Sequence, residues 1–202
     1  MKPRSLVRKS LGLGTLEDLT RDQRRTLWPP AQALEEQHLR NCKVLANRYD
    51  LIKLMPQNGI VAEVGIYHCE FSEFIMERAA PKELHLIDID PHSIEMAAHI
   101  VPRSIRHLGD SSTVISTFPE SFFDWIYIDG DHSIEGARKD LEASRTRVKQ
   151  FIVLNDYTFL DPSGLTKYGV MEATNEFCIK YDWKVVYLAL HGRGYYDVAI
   201  AP

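Results

Sequence analysis

From residue 59 onward, short apolar runs alternate with amphipathic stretches, and no other feature of the chain restricts its possible folds as much. The runs are IVAEV (60–64), LHLIDI (84–89), IRHLGD (105–110), DWIYID (124–129) and QFIVLND (150–156). Between them lie FSEFIMERA (71–79), HSIEMAAHIV (92–101), a shorter polar segment and SIEGARKDLEASRTRV (133–148). Strands that alternate with helices build βαβ units and a parallel sheet. Runs that are apolar at nearly every residue, such as FIVL, fit strands buried on both faces. GVMEATNEFCIKY (169–181) reads as a further helix, followed by KVVYLAL (184–190) and YYDVAIA (195–201). Only His191-Gly192-Arg193-Gly194 separates those last two strands, whereas a parallel crossover needs about a dozen residues. They must form an antiparallel hairpin. The pattern predicts an α/β, three-layer sandwich with a mostly parallel, seven-stranded sheet that ends in this hairpin.

Composition narrows the class. The 202 residues are 45% apolar and 26% charged, which excludes disorder for the bulk of the chain. The length suits one domain with a short appendage. The 24 basic and 28 acidic side chains give a net charge of −4, so no broad basic field favours nucleic acid. Cys42, Cys69 and Cys178 are widely spaced with no CxxC pair, which predicts reduced thiols in a cytoplasmic protein. No signal-peptide run and no stretch of about 20 apolar residues is present, so no membrane partner is expected.

The first residues differ from the rest. Lys2, Arg4, Arg8, Lys9, Arg21, Arg24 and Arg25 face only Glu17, Asp18 and Asp22. Such an arm either contacts a polyanion or a partner subunit, or is simply a terminal extension. After Pro29-Pro30, the positions Leu34, Leu39, Val44, Leu45, Leu51, Ile52 and Leu54 are loosely helical in spacing. Residues 1–56 therefore read as a basic, largely helical extension able to support a homodimer contact, and 57–202 as the main domain.

In an open parallel sheet, ligands bind beyond the carboxyl ends of the strands, near the point where strand order reverses. The residues there are acidic: Glu63, Asp88 and Asp90, Asp110, Asp129 and Asp131, and Asp156. Five acidic strand ends in succession fit a ligand rich in hydroxyls, amines or positive charge, or a metal, and repel a nucleotide polyphosphate. Neither GxxxxGK[ST] nor a complete GxGxxG occurs, which counts against a nucleotide-dependent oxidoreductase.

Taken in order, Glu63-x-Gly65, LIDIDP, LGDSS and YIDGDHSIEGARKDLEA resemble the class I S-adenosylmethionine-dependent methyltransferases, which have a Rossmann-like fold. IDGDHSIEGARKDLEA is similar to the small-molecule O-methyltransferase branch. The resemblance covers about residues 58–202 and includes the terminal hairpin. It implies a transferase that binds S-adenosylmethionine and methylates an oxygen of a small polar metabolite. Glu63 and Gly65 would then line the methionyl end, Asp88 would accept from the ribose hydroxyls, and Asp110 with Ser111 would face the adenine. Each of these acids also suits a helix cap, and Asp90, followed by Pro91, reads as one. The chain departs from the pattern at Tyr67 and Cys69, where the family has glycines. A side chain at Cys69 is expected to narrow the approach of the cofactor. A non-catalytic relative that keeps the fold for binding is the second reading.

For catalysis two arrangements stay open. Asp129, Asn155 and Asp156 are hard oxygen ligands suited to Mg²⁺ or another divalent cation, which would acidify a substrate hydroxyl. Alternatively His132 acts as general base near Asp129. His191 and Arg193 of the last hairpin, with Tyr195 and Tyr196, either overhang this face or form an exposed turn. Trp28, Trp125 and Trp183 read as core or boundary residues.

Overall fold

The computed structural model describes residues 29–161 and 166–202, so the basic arm and Trp28 lie outside the described residues. In chain order the elements are α1 (Glu36–Leu39), β1 (Lys43–Leu45), α2 (Arg48–Leu54), β2 (Ile60–Val64) and α3 (Glu70–Arg78). Then follow β3 (Glu83–Asp88), α4 (Pro91–Ile100), β4 (Ile105–Leu108), α5 (Ser111–Ser116) and β5 (Phe123–Ile128). The chain ends with α6 (Ile134–Ser144), β6 (Val148–Leu154), α7 (Val170–Tyr181), β7 (Lys184–Leu190) and β8 (Tyr196–Ala201).

These strands form one eight-stranded sheet in the order β1-β7-β8-β6-β5-β2-β3-β4. All pairings are parallel except β7–β8 and β8–β6. The predicted α/β Rossmann-like architecture and its terminal hairpin are present, with one strand more than the sequence reading. The extra strand is β1, which pairs with β7 through Val44↔Leu188 inside a segment read as helical. Three residues are too few to impose a period of two, so apolar spacing could not reveal it. The helical reading of 31–54 resolves into two short helices, the second capped by Asn47, whose side chain accepts from the Asp50 amide at 2.9 Å.

Alternation along the central strands builds two cores. Ala62, Val64, Ile126, Ile128, Ile152 and Leu154 pack against Ala137 and Leu141 of α6 and Phe177 of α7. On the other face Val61, Leu84, Leu86, Trp125 and Tyr127 pack against Leu51 and Ile52 of α2 and Phe71 and Ile75 of α3. A register shift between Phe123 and Trp125 puts Phe123 into the first core instead of the second. Trp125 and Trp183 are core residues, as their composition context predicts. Among the described residues no helix is long and apolar enough to cross a membrane.

β2 lies at the centre, with β3 and β4 to one side and β5 and β6 to the other. The order reverses between β2 and β5, whose last residues Val64 and Ile128 are register partners. The crevice beyond them is where a ligand is expected in such a sheet. Because β8 runs against β6, its first residues, Tyr196 and Asp197, return to this same rim.

Candidate active site

The turn after β2 is shaped by a backbone contact. Gly65 has φ +77°, and a Cβ there would lie 2.0 Å from the Asp129 carbonyl oxygen. No L-residue fits without moving the β5 loop. Tyr67 (φ 42°) and Cys69 (φ 63°) are also left-handed, so the loop keeps a glycine-type backbone without glycine. Each such residue carries about 1–3 kcal/mol of strain. The Cys69 thiol does not narrow the loop as expected. It is fully buried, with the Ser93 carbonyl 4.0 Å away, and burial pushes its pKa up to about 11. Tyr67 instead stands exposed, its ring 3.8 Å from that of His68.

Beneath this loop Glu63 is almost completely buried beside the Ser72 hydroxyl, and neither its Oε2 nor that hydroxyl has a well-aligned hydrogen bond. Burial pushes the Glu63 pKa up to about 8, opposed by Ser72 and reinforced by Asp129. Buried polar atoms without partners are uncommon and mark a place where a ligand's donor would be welcome.

Asp88, at the end of β3, accepts from the Ile66 amide (2.8 Å) and the Asp90 amide (2.8 Å), which ties the turns after β2 and β3 together. Each carboxylate oxygen keeps a further lone pair for a ligand. Asp90 caps α4 through the His92 amide at 3.1 Å, as its neighbour Pro91 predicts. Asp110 caps α5 and accepts from the Thr113 amide (2.9 Å) and the hydroxyls of Ser112 and Thr113. Ser111 donates to Asp140 at 2.5 Å. The Asp140 carboxyl is buried on α6, and burial pushes its pKa up to about 6. Asp140 was missed from sequence, although it shares the inward side of α6 with Ala137, Leu141 and Ser144.

Next to the strand-order reversal, three groups converge. His132 Nε2 lies 3.4 Å from Asp129 Oδ1 and 3.6 Å from Asp156 Oδ2. Neither contact is a hydrogen bond, so this buried nitrogen still has no hydrogen-bond partner. Burial opposes protonation of the imidazole, but Asp129 and Asp156 outweigh it and its pKa rises. Burial likewise raises the pKa of Asp156, a residue held at φ 52°. Tyr168 stacks on the His132 ring at 4.7 Å, and the Gly169 amide donates to the His132 carbonyl at 2.7 Å. Gly169 is required there, since a Cβ would lie 2.1 Å from the Ile134 nitrogen.

Asn155 links this group to β8, since its side chain also helps to raise the His132 pKa. Its Nδ2 donates to Asp197 Oδ1 (3.2 Å) and the Tyr127 hydroxyl (3.4 Å), while Tyr127 donates to Asp197 Oδ2 at 2.6 Å. Arg48, from α2, donates to the same hydroxyl at 3.5 Å and lies 4.3 Å above the Phe71 ring. Of the donor set Asp129, Asn155 and Asp156, the two carboxylates face the His132 imidazole at 3.4 and 3.6 Å, while the Asn155 amide nitrogen braces β8. Among the described residues no group of three or more His, Cys, Asp or Glu side chains is arranged to hold a metal. Neither Arg48 nor Asp197 was anticipated, one lying in the supposed appendage and the other within an apolar strand. In the last turn His191 stacks on Tyr195 at 4.5 Å and accepts from the Arg193 amide.

A family model described as a methyltransferase domain matches residues 62–157. No curated protein matches the sequence at a significant level. Among solved structures, TrmK of M. capricolum in complex with S-adenosyl-homocysteine superposes with a TM-score of 0.58 at 12% identity, over 78% of this chain and 68% of that one. The B. subtilis M1A22 tRNA methyltransferase TrmK gives 0.56 at 14% identity, over 78% and 65%. This chain therefore spans about two-thirds of the length of either tRNA methyltransferase. An S-adenosylmethionine-dependent methyltransferase of Mesorhizobium loti gives 0.60 at 9% identity, over 77% and 96%. Residues 62–157 thus match a methyltransferase domain, and the chain shares its fold with S-adenosylmethionine-dependent methyltransferases.

Proposed function

We propose that this methyltransferase transfers the methyl group to a hydroxyl oxygen of a small polar acceptor, with His132 as general base. The observation that carries the reading is the buried Nε2 of His132, lacking a hydrogen bond and placed between Asp129 and Asp156 beside the strand-order reversal. When bound, S-adenosylmethionine supplies a methyl group on a sulfonium, open to attack by an oxygen. Glu63 and Asp129, with the bare backbone of Gly65, fit its methionyl end, and the Asp88 lone pairs fit the ribose. Ile89 and Leu108, both exposed apolar side chains beside Asp88, fit the faces of a purine near Asp110 and Ser111.

The chain's own residues then do three things. Tyr168 holds the imidazole plane. His132 Nε2 would take the proton from the acceptor hydroxyl as its oxygen displaces the methyl carbon from sulfur, leaving the thioether as product. Asp129 and Asp156 stabilise the resulting imidazolium, which is the state their charges favour. The residues need no metal for these steps.

The TrmK neighbours act on tRNA, but the rim here is acidic at Asp88, Asp90, Asp110, Asp129, Asp131 and Asp156, which disfavours a phosphate backbone. The decisive experiment is methyl transfer from S-adenosylmethionine to a panel of hydroxylated metabolites and to tRNA, with and without a chelator, for the native protein and His132→Gln. The variant is expected to lose about 10²–10⁴-fold in kcat and keep its affinity for S-adenosylhomocysteine. Unchanged kcat in His132→Gln, loss of activity on chelation, or turnover of tRNA alone would each overturn the reading.

A further inference from the structure

Helix α2, which precedes the matched domain, delivers a cation to the site, and its surroundings define what it can bind. Arg48 is the first residue of α2, half-buried, with its guanidinium over the Phe71 ring at 4.3 Å. Among the described residues its hydrogen-bond partner is the Tyr127 hydroxyl at 3.5 Å, the outer limit of such a bond. A guanidinium carries five N–H donors in a planar fork. Stacking occupies a face and leaves the edge of the fork to another acceptor.

The neighbouring carboxylates do not fill that role. Asp197 accepts from Tyr127 and Asn155, Asp129 is at ion-pair distance from His132, and no hydrogen bond joins Arg48 to Glu63. Their combined charge still favours the cation, since burial opposes it and Tyr127, Asp197 and Asp129 more than compensate. The region past β2 and β5 therefore offers a guanidinium fork close to two acids, Glu63 and Asp129. That pairing of charges complements a zwitterion whose carboxylate and ammonium share one carbon.

We propose that Arg48 binds the methionyl carboxylate of S-adenosylmethionine, so that the segment before the matched domain completes the cofactor site. This rests on the cofactor reading above. A carboxylate on the acceptor is the other source of the same chemistry, and the choice of probes separates the two. A charge-assisted fork contact of this kind contributes about ten- to hundredfold in affinity.

The test is calorimetry of the full chain with S-adenosylhomocysteine and with 5′-deoxy-5′-methylthioadenosine, which lacks the amino-acid moiety. For Arg48→Met, affinity for S-adenosylhomocysteine is expected to fall about tenfold or more while the truncated nucleoside binds within about twofold of native. Arg48→Lys should fall between native and Arg48→Met, because it keeps the charge without the fork. An unchanged affinity for S-adenosylhomocysteine would move the carboxylate to the acceptor and overturn the proposal. So would an equal loss for both ligands, which indicates a merely structural role. Thermal unfolding reports whether Arg48→Met folds, and if it does not, the same two-ligand comparison on Arg48→Lys decides. Native protein that fails to bind S-adenosylhomocysteine overturns the cofactor reading itself, a result distinct from either variant outcome.

Discussion

Tyr127→Phe removes a single oxygen from a hydrogen-bond node of the rim that three side chains share. That hydroxyl donates to Asp197 Oδ2 at 2.6 Å and accepts from Arg48 at 3.5 Å and Asn155 at 3.4 Å. Only the first is short, so the loss is dominated by one charge-assisted bond, about 1.5–3 kcal/mol when Asp197 is ionised. Burial pushes the Asp197 pKa up to about 7, against the pull of Tyr127 and Arg48. A carboxyl whose folded pKa is raised stabilises the fold most below its unfolded value near 4, and that contribution is lost as pH rises through the folded pKa near 7. At pH 5 Asp197 holds its proton and Tyr127 makes a neutral bond of about 1 kcal/mol. At pH 8 the carboxylate is ionised and depends on its donors. Removal of the hydroxyl should therefore cost more at pH 8 than at pH 5, by about 1–2 kcal/mol. Urea unfolding of native and variant protein at both pH values measures this directly. A cost that is equal at the two pH values, or larger at pH 5, would refute the idea that Tyr127 serves the ionised carboxylate.

Two further outcomes follow from the same geometry. Gly65→Ala brings a Cβ to 2.0 Å from the Asp129 carbonyl at a φ of +77°, so the β2 and β5 loops must separate. S-adenosylhomocysteine affinity should fall about tenfold or more while the circular dichroism spectrum stays native, and retained affinity would show that the close approach is irrelevant. Away from the site, His85 Nδ1 and His107 Nε2 lie 3.0 Å apart beside Phe118, Phe122 and Phe123. Burial lowers the pKa of both, so stability is fully present above the unfolded value near 6.5 and declines as pH falls through the lowered folded values. His107→Gln should flatten that decline in unfolding experiments between pH 7 and 5, and an unaltered slope would remove the pair as its source.

Most of the sheet was legible because periodicity reports burial directly. β2, β3, β5 and β6 are covered on both sides and read as largely apolar runs, and the four-residue gap before YYDVAIA admitted no parallel crossover. The strand-end acids Glu63, Asp88, Asp110, Asp129 and Asp156 were visible for the same reason, as polar residues placed where such runs stop. What periodicity could not show were contacts between elements distant in sequence. Asp197 and Tyr127 are 70 residues apart, and each is one polar group in a run of apolar neighbours. Residue type and position mark Asn155 as an oxygen donor at a strand end, but not that its side-chain nitrogen reaches across to Asp197 of β8.

Tyr67 and Cys69 show how residue type and backbone shape part company. Reading them as departures from a glycine-rich loop assumed that a side chain forces a different turn. Both instead hold φ above +40°, because neighbouring contacts fix the turn more strongly than the left-handed strain opposes it. The Cys69 amide donates to the Ile66 carbonyl at 2.7 Å, Asp88 grips the Ile66 amide at 2.8 Å, and the thiol fills the core beside α4. Gly65 has no such latitude. Its missing side chain is set by the Asp129 backbone, which cannot yield without displacing the carboxylate that faces His132. One glycine of the loop is thus required by the approach of two chain segments, and the others are replaceable wherever packing can offset the strain of a left-handed residue. By the same logic the segment from Arg48 onward belongs with the site, since Phe71 of the following helix seats its guanidinium and Tyr127 of the central sheet receives its bond.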